Sequence, residues 1–247
     1  MPLRNPGESL EGEMQRLLND RAMIPFMAAT LALMFAVWEW WHWLAAVPPQ
    51  PIPASIVAVA VIAYAAREIV SFRKRVRSLR LGLDGEKSVG QFLEAHRKEG
   101  WRILHDIPGK GFNVDHVLIA PQGVFAIETK TFSKPVRGDA TAEFDGERLL
   151  VNGFEPDRNA IAQARAARDW VRELLYETTA IRYPVRGVVV LPGWYVRRPK
   201  VRKATDIWVL NPKALPSFIG NEPTALKDED VALAYSRLSL HVVQFNG

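Results

Sequence analysis

Two long apolar runs near the N-terminus constrain this chain more than any other feature. The first, MIPFMAATLALMFAVWEWWHWLAAV from Met23 to Val47, opens with about sixteen uncharged residues before Glu39 and His42 appear among four tryptophans. The second, IPASIVAVAVIAYAAREIVSF from Ile52 to Phe72, follows across the uncharged turn VPPQPIP. Inside hydrocarbon a backbone must satisfy its own polar groups, and about 20 helical residues span a core of about 30 Å. Residues 22–72 therefore read as a two-helix transmembrane hairpin. Trp38, Trp40, Trp41 and Trp43 suit the headgroup interface, and Arg67 and Glu68 can snorkel from the end of the second helix. A pair of buried core helices is the competing reading.

The flanks orient the hairpin. RKRVRSLR supplies Arg73, Lys74, Arg75, Arg77 and Arg80 without an acid, whereas the connecting turn has no Lys or Arg. Positive charge stays on the cytoplasmic side, so the expectation is a multi-pass membrane protein with both termini cytoplasmic, residues 73–81 forming a basic juxtamembrane linker beside anionic lipid. A cleaved signal peptide fits poorly, because the polar segment 1–21 carries Glu8, Glu11, Glu13 and Asp20 ahead of the first run. Leu10, Met14, Leu17 and Leu18 recur there at helical spacing, as in a short interfacial helix.

Across its 247 residues the chain carries a formal net charge of +5 and no cysteine. Disulfides and thiolate metal sites are excluded, and an anionic partner, nucleic acid or a lipid surface, is favoured. From Gly82 the pattern changes to that of a mixed α/β domain, expected over 82–220 with a C-terminal extension at 221–247. Asp84 can cap a helix over about 85–99 that places Val89, Phe92 and Leu93 inward and stops at Gly100. Trp101 to Asp106 reads as a strand, Phe144 to Val151 as a strand or hairpin broken at Asp145-Gly146, and Asn159 to Glu177 as an Ala-rich helix. Arg186 to Leu191 and Ile207 to Leu210 are short buried strands.

The centre of this domain is NVDHVLIAPQGVFAIETK, Asn113 to Lys130, a hairpin by its alternation and its Pro-Gln-Gly turn. Asn113, Asp115, Val117 and Ile119 share one strand face, and Val124, Ala126, Glu128 and Lys130 share one face of the next. A two- or four-residue loop makes paired positions sum to 243 and sets Asp115 opposite Glu128, with Cβ atoms about 4.5–5.5 Å apart. A three-residue loop with a Gly123 bulge separates them instead. The facing register is favoured, because the charged residues otherwise interrupt both apolar faces without compensating one another.

Facing carboxylates repel unless they share a proton or a cation. Lys130 supplies one positive charge, and Mg²⁺ or Mn²⁺ supplies more while leaving room for water and a phosphate. The chemistry compatible with that set is phosphodiester hydrolysis. Glu86 on the first helix and Gln163 on the second each fall on an apolar stripe, aimed toward the strands. The bland readings are a salt-bridged Glu and a Gln that caps backbone.

Gly82-Leu83-Asp84-Gly85-Glu86, Asp115-His116, Gly123-Val124-Phe125, Ile127-Glu128-Thr129-Lys130 and Asn159 with Gln163 together resemble the nuclease-related domain (NERD) family, within the PD-(D/E)xK nuclease superfamily. The resemblance covers about Gly82 to Ile219. It implies a restriction-endonuclease-like mixed sheet flanked by helices, Asp115 and Glu128 as metal ligands with the Thr129 carbonyl as a third, and Lys130 assisting the attacking water. It further implies that Glu86 supports the metal site and that Gln163 holds substrate or the lysine. No proline precedes Asp115, where the superfamily's name has one. His116 falls on the opposite strand face from Asp115, which suits a hydrogen-bonded structural histidine better than a ligand.

For DNA, or less readily RNA, candidate phosphate contacts are Arg165 and Arg168, with Arg172 on the same helix side, and Arg197, Arg198 and Lys200 in VRRPKVRK. A solvated basic face is the plain alternative. A catalytically silent module of the same fold, binding nucleic acid or protein at the membrane, is the second functional reading, and a structural ion network of Asp115, Glu128 and Lys130 is the third.

Overall fold

The computed structural model describes all residues except 1–2, 47, 49–50, 136–137, 158, 198–204 and 247. The chain divides into two compact units, one of Leu10–Arg80 and one of Met1–Ser9 with Leu81–Gly247.

The smaller unit is helical. It holds most of α1 (Glu8–Leu44) and residues 51–80 of α2 (Pro51–Ala95), whose later residues belong to the larger unit, and Val47, Pro49 and Gln50 of the expected turn lie outside the described residues. Among the described residues, no helix is long and apolar enough to cross a membrane. The structure therefore yields the two expected helices without showing the expected spans. Each helix runs beyond its apolar stretch into polar sequence, Glu8 to Asp20 in one and Arg67 to Arg80 in the other.

α2 also departs from the expected helix boundary. It runs unbroken through the basic tract 73–81, and it overturns the expected helix start, since Asp84 is an exposed mid-helix residue instead of a cap. No proline interrupts it after Pro53, and an isolated glycine costs a helix only about 1 kcal/mol. The helix ends through a short 3₁₀ turn, His96–Glu99, at Gly100, whose φ of 90° suits a residue without a side chain.

The larger unit is built on a mixed sheet of β1 (Arg102–Pro108), β2 (Asn113–Ala120), β3 (Gly123–Thr129), β6 (Val185–Val190) and β8 (Ile207–Leu210), adjacent in that order. β1, β2 and β3 form an antiparallel meander, and β6 and β8 continue parallel to β3. A smaller sheet of β4 (Thr141–Phe144), β5 (Leu149–Val151) and β7 (Tyr195–Arg197) lies in the order β5-β4-β7. α3 (Ala160–Thr179) crosses over from β3 toward β6. It is capped by Asn159, whose side chain accepts from the Ala162 amide at 3.0 Å.

Three apolar clusters hold these layers together. Val117, Ile119, Val124 and Ala126 pack beneath α3 and α5 (Asp228–Asn246), while Leu118, Phe125 and Ile127 face Val89 and Leu93 of α2 and the short α4 (Leu215–Gly220). The small sheet closes over Ala160, Ile161 and Ala164 of α3. The C-terminal extension is thus part of the core, since Val231, Ala234, Leu238 and Val242 of α5 are buried in it at helical spacing.

Candidate active site

The β2–β3 turn fixes the geometry. Pairs run from His116 with Ile127 to Ala120 with Gly123, all summing to 243, so Pro121 and Gln122 form a two-residue turn in the favoured register. Gly123 has φ 144°, and a Cβ there would lie 2.9 Å from the Pro184 carbonyl oxygen, which accepts from Val124 N–H at 2.9 Å. Only glycine allows that approach.

That register puts Asp115 and Glu128 at the same end of the sheet and on the same face. Asp115 Oδ2 accepts from Thr129 N–H at 2.7 Å, tying the two strands at the acidic positions. Lys130 Nζ lies 2.7 Å from Glu128 Oε1, the i,i+2 pairing that strand alternation predicts. The Lys130 amide donates to Val190 O at 3.0 Å, which holds this strand end against β6.

Glu86 arrives from α2. A Cβ on neighbouring Gly85 would fall 2.0 Å from Thr131 Cγ2, so the helix can seat against the end of β3 only because that residue is glycine. The field at Glu86 is acidic. Burial foremost, then Asp106 and Glu128, push its carboxyl up to about 7. Burial likewise holds Asp115 well above the usual carboxylate range, with Glu128 and Glu86 adding to the rise. Neighbouring carboxylates thus oppose the ionisation of both Glu86 and Asp115.

The donors suit a hard divalent cation. Asp115, Glu128 and Thr129 offer only oxygen, and the buried Thr129 Oγ1 has no hydrogen-bond partner among the described residues. Among those residues no group of three or more His, Asp or Glu converges into a metal cage. The set is a carboxylate pair with a backbone or hydroxyl oxygen beside it, and Mg²⁺ commonly uses only one or two protein carboxylates.

Other expected residues lie elsewhere. Gln163 is exposed, because the buried stripe of α3 is Ala160, Ile161, Ala164, Ala167, Val171 and Leu175 and turns Gln163 outward, contrary to the expected inward position. Arg165 Nε lies 3.3 Å from Asp206 Oδ1, Arg168 pairs with both Asp206 and Asp169, and Arg172 pairs with Asp169. These arginines border the start of β8, and Arg168 and Arg172 line a cavity of about 270 Å³ with Arg186, Glu222 and Gln122 of the β2–β3 turn. Gln122 precedes Glu128 by six residues, about 20 Å of strand. The helix arginines therefore sit at the opposite end of the sheet from the carboxylates, with their charges already engaged. Arg197 is exposed on β7, while Arg198 and Lys200 lie outside the described residues.

His116 is on the far face from Asp115. It is fully buried, its Nδ1 lies 2.9 Å from His105 Nδ1, and His105 Nε2 lies 2.7 Å from Glu94 Oε1. A residue that periodicity overlooked is Asp106, buried at 3% exposure. It occupies the β1 position between His105, paired with His116, and Ile107, paired with Val114, and so stands across from Asp115.

Residues 81–192 match the family described as NERD, nuclease-related domain, a little under half of the chain. No curated protein and no solved structure matches it.

Proposed function

We propose that this chain is a membrane-anchored nuclease that uses a divalent cation, Mg²⁺ or Mn²⁺, to hydrolyse phosphodiester bonds of DNA at the cytoplasmic face. The observation that carries the reading is the gathering of Asp115, Glu128 and Glu86 at one strand end with a single ammonium, Lys130, among them. Keeping mutually repelling carboxyls together costs folding energy, and a cation site repays it. The match of residues 81–192 to a nuclease-related domain supports the same reading.

Asp115 and Glu128, with the Thr129 carbonyl, would hold the cation. Bound there, it would polarise a phosphoryl oxygen and acidify a water. Lys130, held at Glu128, orients the attacking water and offsets charge growing on the phosphate. Glu86, poised near neutrality, restrains the positions of its neighbours without adding a full negative charge. Gln163 faces solvent and can meet only a substrate that reaches over α3. Of the basic candidates, Arg197 is the one whose charge is not engaged among the described residues.

Membrane attachment rests on unit Leu10–Arg80. Leu33, Phe35, Trp41, Ile52, Val59 and Ile62 all expose half or more of their surface, a concentration of apolar area that water does not favour. Fractionation with alkaline extraction should leave the chain in the membrane pellet, and a C-terminal reporter should read cytoplasmic; release into the soluble fraction defeats the anchor.

The enzymatic reading is tested with the full-length chain in detergent, given linear, nicked and single-stranded DNA and RNA with Mg²⁺ or Mn²⁺. Cleavage by the parent and none by Lys130→Met or Glu128→Gln supports it. An inert parent that binds DNA in a salt-dependent way favours the silent tethered module. Collapse of the Glu128→Gln fold favours the structural ion network, which the 2.7 Å pair of Glu128 with Lys130 also fits.

A further inference from the structure

We propose that Asp106 is a positioning residue that clasps the N-terminal segment Leu3–Ser9 over the carboxylate site, making residues some seventy positions before the nuclease-related match part of that site. The proposal rests on the nuclease reading for its catalytic consequence and on geometry for the clasp itself.

The clasp is dense. The Asp106 carboxylate accepts from Ser9 N–H at 3.1 Å, from Ser9 Oγ at 2.8 Å and from Asn113 Nδ2 at 2.9 Å, and it pairs with Arg4 Nη2 at 3.1 Å. Its carbonyl oxygen accepts from Arg4 Nη1 at 3.0 Å. Asn113 also donates to Ser9 Oγ, so three partners converge on one buried carboxylate. Asp106 adopts φ 49°, a conformation that a non-glycine residue holds only when its surroundings over-determine it. In a surface tether such strain would relax.

Between Arg4 and Ser9 the segment is shaped to fit against α2. A Cβ on Gly90 would sit 2.2 Å from Pro6 Cγ, so Pro6 packs where only a glycine helix surface admits it. Gly7 is buried with φ 73°, and a Cβ on it would lie 2.6 Å from Leu83 Cδ1 and 3.4 Å from Glu86 Oε2. The peptide thus covers the side chain that reaches the candidate site from α2. Glu86 is confined between the segment and the strand end, and Asp106, across from Asp115, anchors the cover. Without the cover Glu86 swings into solvent, and the carboxylate set loses the member that α2 contributes.

Two full-length variants test this. Asp106→Asn removes the charge that holds Arg4, and Gly90→Ala forces a methyl group against Pro6 without touching Asp106 or the site carboxylates. Hydrogen exchange of residues 3–9 reads the clasp, Mn²⁺ titration reads the site, and single-turnover cleavage separates kcat from KM. Both variants are expected to exchange residues 3–9 at least about tenfold faster, with strands β1–β3 still protected. Mn²⁺ affinity and kcat should each fall by about tenfold while KM moves less than about twofold, the mark of lost positioning. A released segment with unchanged Mn²⁺ affinity and kcat overturns the positioning role, and a segment that stays protected in Asp106→Asn overturns the clasp. A parent that neither binds Mn²⁺ nor cleaves nucleic acid fails the nuclease reading instead, and takes the positioning role with it.

Discussion

Replacing Glu86 with glutamine should make the protein more stable and less active. The Glu86 carboxyl is raised from 4.5 to about 7 by burial and by Asp106 and Glu128. At about 1.4 kcal/mol per tenfold in proton affinity, its ionised form costs the fold up to about 3 kcal/mol. Partial solvent access and counter-ions halve that to about 1.5 kcal/mol. The sign follows from proton counts. Between pH 4.5 and 7 the folded state holds the Glu86 proton more tightly than the unfolded chain, so stability falls as pH rises through this window and the penalty is complete above pH 7. Glutamine removes the charge and keeps the shape. Thermal unfolding of the full chain with a chelator should show Glu86→Gln melting about 3–6 °C above the parent at pH 8 and level with it at pH 4.5. Mn²⁺ should narrow the gap at pH 8 by stabilising the parent. A variant that melts at or below the parent at pH 8 would falsify the claim that Glu86 is held in an acidic, cation-seeking neighbourhood.

Three further outcomes follow from other parts of the molecule. Gly123→Ala sets a methyl group 2.9 Å from the Pro184 carbonyl at positive φ, so it should destabilise the fold by about 2 kcal/mol in denaturant titration, and a loss under 0.5 kcal/mol contradicts the turn geometry. Burial lowers the proton affinity of His105, and burial followed by His105 lowers that of His116 much further, so their contribution is complete above about pH 6.5 and is lost as pH falls below it; the slope of stability between pH 7 and 5.5 should shrink in His116→Leu, and an unchanged slope argues against a neutral buried pair. Arg168→Ala should change DNA affinity less than twofold while Arg197→Ala weakens it several-fold at low salt, since among the described residues Arg168 is engaged by Asp206 and Asp169 and Arg197 by no carboxylate; the reverse order in a salt-titrated binding assay places the nucleic acid at the other end of the sheet.

Much of the candidate site could be read from local sequence. The alternation of Asn113 to Lys130 and the Pro-Gln-Gly turn specify a hairpin, and charge compensation selects the register that the Pro184 contact with Gly123 then enforces. Glu86 lies three and seven residues before the buried Val89 and Leu93, and periodicity alone puts it on their side of α2. The misses are of a different physical kind. Asp84 resembled a cap, but a cap is needed only where a helix begins, and helical hydrogen bonding simply continued through it. Apolar spacing alone lets Gln163 share a stripe on its helix, whereas burial by β3 and β6 selects a stripe rotated toward Ile161 and Ala164. Asp106 and its partners Arg4 and Ser9 carry no periodic signature, because contacts nearly a hundred positions apart arise only when the fold brings them together. α5 carries the acidic first turn and the 3-4-4 apolar spacing of a helix in its sequence, at Val231, Ala234, Leu238 and Val242.

The central claim is that Asp115 and Glu128 hold a divalent cation, and Mn²⁺ binding to the full-length chain tests it without a choice of substrate. Calorimetric titration at pH 7.5 should show one site in the parent, weakened at least about tenfold in Asp115→Asn, with proton release as the raised carboxyl ionises. A parent that takes up no Mn²⁺, or an Asp115→Asn variant that binds it as well as the parent does, contradicts the account.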